Sequence, residues 1–336
     1  MDKHWYKNAI MYGLDVKLFQ DSNNNGFGDF KGLTSRLDYI KELGINCLWL
    51  MPFFPSPLKD YGYDVQDFLG IDPRLGNMDD FINLIDACNE KEIRVIIDLV
   101  INHTSTNHDW FVQAKSDKAS KYRDYYLWKD EIEENETKKT MFEGNEGSIW
   151  EYVPQTNSYY LHTYYQEQAD LNIANPAVRN EIFKIVKFWL NVGVCGFRID
   201  AAHALTEAYP KEQHSMENFN SFLGEIRDYA NTINPEAVLL GEADVPPKLI
   251  QEYFGNGDRI DILFNFLTNQ YKFLAMAEQS ARPLLKALKL SKKIKYGHFL
   301  NFVRHHDELN LQQLNNKERK VVLDSFAPDD DMRIYK

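Results

Sequence analysis

Residues 93–103 read Ile-Arg-Val-Ile-Ile-Asp-Leu-Val-Ile-Asn-His, and this stretch decides the fold. From Ile93 to Val100 it is apolar and β-branched, the length of one strand, as expected where a parallel sheet is covered on both faces. Its end carries Asp98, Asn102 and His103, residues that a buried strand does not choose for packing. Upstream, an apolar run from Ala9 to Leu18 precedes an amphipathic stretch near residues 32–43. The run Ile45 to Met51, closed by Pro52, and a helical pattern over 78–91 follow. Downstream, the pattern predicts a helix over 176–192, a strand over 194–200 and a helix over 216–232. Further strands are predicted over 238–241, 260–264 and 299–303, with helices around 269–288 between the last two. Seven strands alternating with helices predict an α/β fold of the (β/α)8 TIM-barrel type.

Between residues 104 and 175 the alternation stops, and residues 113–147 are dense in charge without an apolar face. Structureless loops of that length are uncommon, so an inserted subdomain after the third strand is expected. The division is then 1–103 and 176–336 for the barrel, with 104–175 inserted. The net charge of −12 argues against a nucleic-acid partner. The 14% aromatic content suits a large core and also the flat faces of sugars. Cys47, Cys88 and Cys195 form no CxxC pair, which fits a reducing compartment. The N-terminus shows no signal-peptide pattern, and the uncharged run Leu43 to Leu58 is broken by Pro52, Pro55 and Pro57. A soluble, cytoplasmic protein without a membrane partner is the expectation.

The other strand ends also collect polar groups: Gly196-Phe-Arg-Ile-Asp200, Leu239-Leu-Gly-Glu242 and Phe302-Val-Arg-His-His-Asp307. In a parallel barrel these ends face the active site. Arg198 and Asp200 share one strand face, and the neighbouring arginine is expected to keep Asp200 ionised. Asp200, Glu242 and Asp307, with His103 and His306 nearby, suit glycosyl transfer. One carboxylate attacks the anomeric carbon, a second donates a proton to the leaving oxygen, and a third steadies the developing positive charge. A catalytic transition metal is not expected, because HExxH is absent and His305 and His306, adjacent on a strand, would face opposite sides. The loop Asp21-Ser-Asn-Asn-Asn-Gly-Phe-Gly-Asp29 matches the first nine positions of a calcium loop. Its ligands would be Asp21, Asn23, Asn25, the Phe27 carbonyl and Asp29, holding Ca2+ or Mg2+. Gly32 stands where an EF-hand needs its glutamate. Asp60-Tyr-Gly-Tyr-Asp64 supplies a ring beside an acid, as sugar pockets do.

In this order, DLVINH (98–103), GFRID (196–200), GEAD (241–244) and VRHHDE (303–308) resemble the four conserved segments of the α-amylase superfamily, glycoside hydrolase family 13. QADLN (168–172) resembles the marker of its oligo-1,6-glucosidase branch. WYKNAIMYGLDVKLFQDSNNNGFGDF and the residues that follow most resemble the trehalose synthases, or maltose α-D-glucosyltransferases. The resemblance implies Asp200 as nucleophile, Glu242 as acid/base and Asp307 as transition-state stabiliser. It implies Tyr63, Asp64, His103, Arg198 and His306 as the first glucose subsite, and Asp98 as a structural acid beside Arg198. It further implies a structural Ca2+ at the N-terminal loop and a second at Asn102, Asp170 and Glu207, with no organic cofactor. The implied reaction isomerises maltose to trehalose through a glucosyl-enzyme, with some hydrolysis when water enters. The implied partner is a small α-glucoside. The alternatives are an exo-acting α-glucosidase and an inactive truncated or split-gene fragment. Departures from the family pattern are Asn25 for Asp, Cys195 for Asp, Ala169 for Pro and His305 for Asn. The resemblance also implies an incomplete barrel of about seven βα units, with the eighth strand and C-terminal β-domain absent. A homo-oligomer or a complementing C-terminal fragment would be the matching protein partner.

Overall fold

The computed structural model describes residues 4–133, 148–202, 216–291, 294–307 and 309–333. One sheet holds seven parallel strands in sequential order. They are β1 (Met11–Leu14), β2 (Cys47–Leu50), β3 (Arg94–Leu99), β4 (Gly196–Ile199), β5 (Val238–Gly241), β6 (Ile262–Phe264) and β7 (His298–Leu300). This is the expected α/β barrel architecture, incomplete among the described residues, where β1 and β7 stand at the two ends of the strand order. Alternation sorts the side chains. Cys47, Trp49, Ile96, Val238, Leu240, Ile262 and Phe264 form the cluster inside the curve. Leu48, Leu50, Val95, Ile97, Phe197, Ile199, Leu239 and Leu263 pack outward against the helices. Trp49 fits inside because β1 places Gly13 opposite it, where a Cβ would lie 2.6 Å from the indole.

The helices that cover the sheet have explicit starts and stops. Met78–Glu90 begins with a capping box between Asn77 and Asp80 and buries Phe81, Leu84, Ile85 and Cys88 along one stripe. Pro176–Val192 begins at Asn175 and Pro176, buries Val178, Ile182, Ile185, Val186, Trp189 and Leu190, and ends at Gly193. Gly193 has φ 118, a left-handed stop that a side chain would resist. Most of the expected strands shorten, the first and the last with a visible cause or consequence. The first stops at Leu14 because Asp15 caps a turn of helix at Val16–Phe19. The last ends at Leu300, so residues 301–307 run outside the sheet. No helix among the described residues is long and apolar enough to cross a membrane.

The insertion after β3 doubles back on the barrel. His103–Ser105 pairs antiparallel with Gln168–Asp170, setting His103 opposite Asp170 and Ser105 opposite Gln168. Trp128–Lys129, Ser158–Leu161 and Trp150–Val153 make a second antiparallel sheet. Its helix, Asp109–Ser116, is capped by His108, whose Nδ1 accepts from Trp110 N at 3.1 Å. Burial against Phe68 and Trp110 pushes His108 down to about 4. Because the folded value lies below the ordinary 6.5, the unfolded chain binds the proton better. The contribution of this group is therefore complete above pH 6.5 and lost as pH falls toward 4. His108→Asn supplies a cap that cannot titrate, so its stability relative to wild type should rise on acidification from pH 7 to 4.5, by at most about 3 kcal/mol. Paired denaturant melts at the two pH values measure that difference.

Candidate active site

Three acids and one base meet at the carboxyl ends of β3, β4 and β5. Register sets Asp98 beside Arg198 and Arg198 beside Leu240, so Glu242 rises at the same rim two residues later. The Arg198 side chain is 1% exposed. Its Nη1 donates to Asp98 Oδ1 and Asp200 Oδ1, and its Nη2 holds Glu242 Oε2 at 2.7 Å. Trp49 Nε1 donates to the other Asp98 oxygen at 2.7 Å. The guanidinium also lies 5.2 Å from the Trp49 ring and 5.6 Å from the Tyr63 ring. The residue after Asp200 completes the arrangement. Ala201 sits at φ 46 and its backbone N–H donates to Glu242 Oε2 at 3.0 Å. A non-glycine residue in that region costs of order 1–3 kcal/mol, which the flanking strands hold in place.

One cation is shared by two buried acids, Asp98 and Asp200, and the partly exposed Glu242. Burial pushes Asp98 up to about 6, against Arg198 and the Trp49 hydrogen bond. Burial also raises Asp200 well above the carboxylate range; Arg198 opposes this, and Glu242 and Asp98 add to it. The guanidinium is divided among three acids, so Arg198 opposes the effect of burial on Asp200 without cancelling it.

Asp307 reaches the site from beyond β7. His305 Nδ1 lies 3.2 Å from Asp307 Oδ2, and His306 Nε2 lies 3.3 Å from Oδ1. Burial works to raise the Asp307 carboxyl, but the His305 hydrogen bond, His306 and Arg198 outweigh it and hold the group below its usual range. The two histidines do not face opposite sides, contrary to the strand reading, because the pleat ends at Leu300. His305 packs among Phe264, Phe266 and Phe302. His306 stacks on Tyr63 with ring planes 4° apart and Nε2 2.9 Å from the Tyr63 hydroxyl. Burial pushes His306 down to about 4.

The remaining subsite residues divide. His103 is buried with Nε2 3.2 Å from the Tyr63 carbonyl and 3.0 Å from Gln168 Nε2; burial pushes it down to about 4. Its ring meets Tyr164 edge-on at 5.6 Å. Asp64 is fully buried and accepts from Ser56 Oγ at 2.8 Å, Lys59 N at 2.9 Å and Asp60 N at 3.2 Å, so it holds the turn rather than lining the pocket. Asp60, four residues earlier, turns the other way. Its Oδ2 accepts from Gln168 Nε2 at 2.8 Å, and burial pushes it up to about 6, with the charges of Asp64 and Asp307 adding to the shift. The sequence reading gives neither Asp60 nor Gln168 a site role of its own; Asp60 stands there only within the Asp-Tyr-Gly-Tyr-Asp segment and Gln168 only within QADLN.

The side-chain oxygens of the N-terminal loop accept from the loop's own backbone. Asp21 accepts from the backbone N–H groups of Asn23, Asn24 and Gly26, Asn23 Oδ1 from Asn25 N, and Asn25 Oδ1 from Phe27 N. These backbone donors, Gly26 foremost, hold Asp21 below its usual range. The all-oxygen donor set suits a hard cation. Asp29 is committed elsewhere: Oδ1 caps the helix Phe30–Ser35 through Gly32 N at 2.7 Å, and Oδ2 takes Ser22 N, Ser22 Oγ and Asn23 Nδ2. At the second calcium position, Asn102 Nδ2 lies 3.3 Å from Asp170 Oδ1, Thr163 donates to both Asp170 oxygens, and Glu207 falls outside the described residues.

Residues 16–335 match the alpha-amylase catalytic-domain family. The chain is 37% identical to the trehalose synthase/amylase TreS of Mycolicibacterium smegmatis, over 99% of this chain and 57% of that protein. It is also 37% identical to a probable oligo-1,6-glucosidase of Bacillus subtilis, over 95% of this chain and 52% of that one. The chain thus spans a little over half the length of these relatives. Among solved structures, the trehalulose synthase MutB of Pseudomonas mesoacidophila superposes with a TM-score of 0.79 at 30% identity, over 90% of this chain and 58% of that one. An inactive MutB double mutant has been solved with isomaltulose.

Proposed function

The chain belongs to the α-amylase family, and from that premise we propose that it isomerises maltose to trehalose by α-retaining glucosyl transfer. One observation carries the reading: Asp200 and Glu242 grip the two terminal nitrogens of the same guanidinium. That closeness suits a retaining pair, whose carboxyls stand about 5–5.5 Å apart, better than an inverting pair at roughly 6.5–9.5 Å. Asp200 attacks the anomeric carbon. Glu242, as the acid, donates a proton to the departing glucose oxygen, and Asp307 faces the charge that develops on the ring. Tyr63, His306, His103 and Asp60 bound the space for the transferred glucose. The reverse transfer joins the retained glucose through its own anomeric hydroxyl, so success depends on excluding water.

Incubation with maltose tests this reading. Trehalose with little free glucose is the expected product mixture. Glucose alone would move the assignment to an exo-acting α-glucosidase, the reading favoured by the likeness to the Bacillus protein. No turnover from a chain that melts cooperatively would overturn both in favour of the inactive fragment.

The donor set of the N-terminal loop also supports a structural Ca2+ at Asp21, Asn23, Asn25 and the Phe27 carbonyl; Asp29 steadies the loop. An ion that binds only the folded chain adds about 2.7 kcal/mol when present at about a hundred times its dissociation constant. Chelation should therefore lower the melting temperature by a few degrees, Ca2+ should restore it, and Asp21→Asn should remove the response in thermal melts.

A further inference from the structure

The departure of residues 301–307 from the sheet brings together three ligand atoms that the strand reading kept apart. His305, His306 and Asp307 each offer one ligand atom, and all three lie within 4.8 Å of one another. We propose that this cluster is an inhibitory site for a borderline divalent transition metal, with Zn2+ as the reference ion. The inference rests on the placement of Asp307 in the sugar site. The two imidazole-to-carboxylate separations are 3.2 and 3.3 Å. Ligands about 2.0–2.1 Å from a tetrahedral zinc ion stand roughly 3.3 Å from each other, and each imidazole keeps that spacing from a different carboxylate oxygen, His305 Nδ1 from Oδ2 and His306 Nε2 from Oδ1. Closing the three on one ion takes a turn of the carboxylate and an approach of the two rings. Two imidazoles and one carboxylate select zinc-like ions over Ca2+ or Mg2+, and a three-ligand set leaves a position open to water.

Charges of both signs reach the cluster. Asp60 and Asp200 act on Asp307 and Glu242 on His306, which favours a cation, and Arg198, felt at both Asp307 and His306, opposes it. Binding has a definite cost to the chain. The ion displaces the Tyr63 hydroxyl from His306 Nε2, now 2.9 Å away, and the Asp307 backbone N–H from His305 Nδ1, now 3.0 Å away. It also occupies the Asp307 carboxylate. A metal there and a glucosyl ring supported by Asp307 exclude each other, so inhibition is competitive with substrate.

Two measurements on the full chain test the site. Co2+ titrated into wild type should give a saturable visible absorption at one equivalent, which Zn2+ abolishes and which His305→Asn lacks. Zn2+ should inhibit maltose turnover at micromolar concentration, with half-inhibition shifted roughly 100-fold upward in His305→Asn when each variant is scaled to its own metal-free rate. His305→Gln, with circular dichroism on both variants, guards against a folding defect. No saturable Co2+ signal in wild type, or an equal signal in folded His305 variants, would overturn the proposal. The Co2+ signal needs no turnover, so a chain that binds Co2+ and does not convert maltose overturns the proposed reaction and leaves the metal site standing.

Discussion

Asp200→Asn should lower maltose turnover by roughly 10^4-fold or more while the chain stays folded. The amide is nearly isosteric and can still accept from Arg198 Nη1, so β4 and its neighbours keep their geometry. It is not nucleophilic enough to open a glucosidic bond, and no other carboxylate stands in its place: Glu242 is tied to Arg198 Nη2 and Ala201 N, and Asp307 to two histidines. The variant also removes one acid from a cluster with one cation, so its melting temperature should equal or exceed that of wild type. Activity loss with intact melting marks a catalytic role. Loss of both would mark Asp200 as structural.

Arg198→Met should destabilise the chain by about 3–5 kcal/mol at pH 8, because Asp98, Asp200 and Glu242 lose their shared counter-ion inside a site that is nearly dry. Arg198 itself remains charged throughout the accessible range, its value raised well above an already high one despite burial. The pH dependence therefore comes from the acids. Asp98 has a folded value near 6, above the ordinary 3.8, so in the folded chain it costs least below pH 4 and most above pH 6. Without the guanidinium that rise becomes larger, and acidification from pH 8 to 5 should return part of the lost stability. Denaturant unfolding at both pH values reads this. A deficit that does not change with pH would mean that Arg198 acts through packing on Trp49 and Tyr63 rather than through charge.

The parts of the fold legible in the sequence are those with a local period. The helix Pro176–Val192 carries its cap, proline and terminal glycine within the segment itself. β3 to β5 are apolar runs ended by polar residues, which is why Asp98, Arg198, Asp200 and Glu242 could be named before their contacts were known. Helix Asn316–Phe326 escaped notice although Asn315 and Glu318 spell a capping box, because its exposed surface gives it a weak apolar stripe. The site escaped where it depends on partners far along the chain. Gln168 lies 108 residues from Asp60, and only antiparallel pairing of Gln168–Asp170 with His103–Ser105 brings it into reach. Tyr63 turns its ring to His306 while Asp64, the next residue, turns back to Ser56, a division that the adjacent positions do not announce. The histidine pair was misread because a pleat was extended beyond Leu300.

Retaining transfer through Asp200 passes through a covalent glucosyl-enzyme. Trapping tests it most directly: the chain is incubated with a fluorinated glucosyl fluoride that forms the covalent intermediate faster than it is released, and the digested protein is read by mass spectrometry. One fluorohexosyl adduct on the peptide containing Asp200, absent from Asp200→Asn, is the predicted result. An adduct on Glu242 or Asp307, or sustained maltose turnover with no adduct, would contradict it.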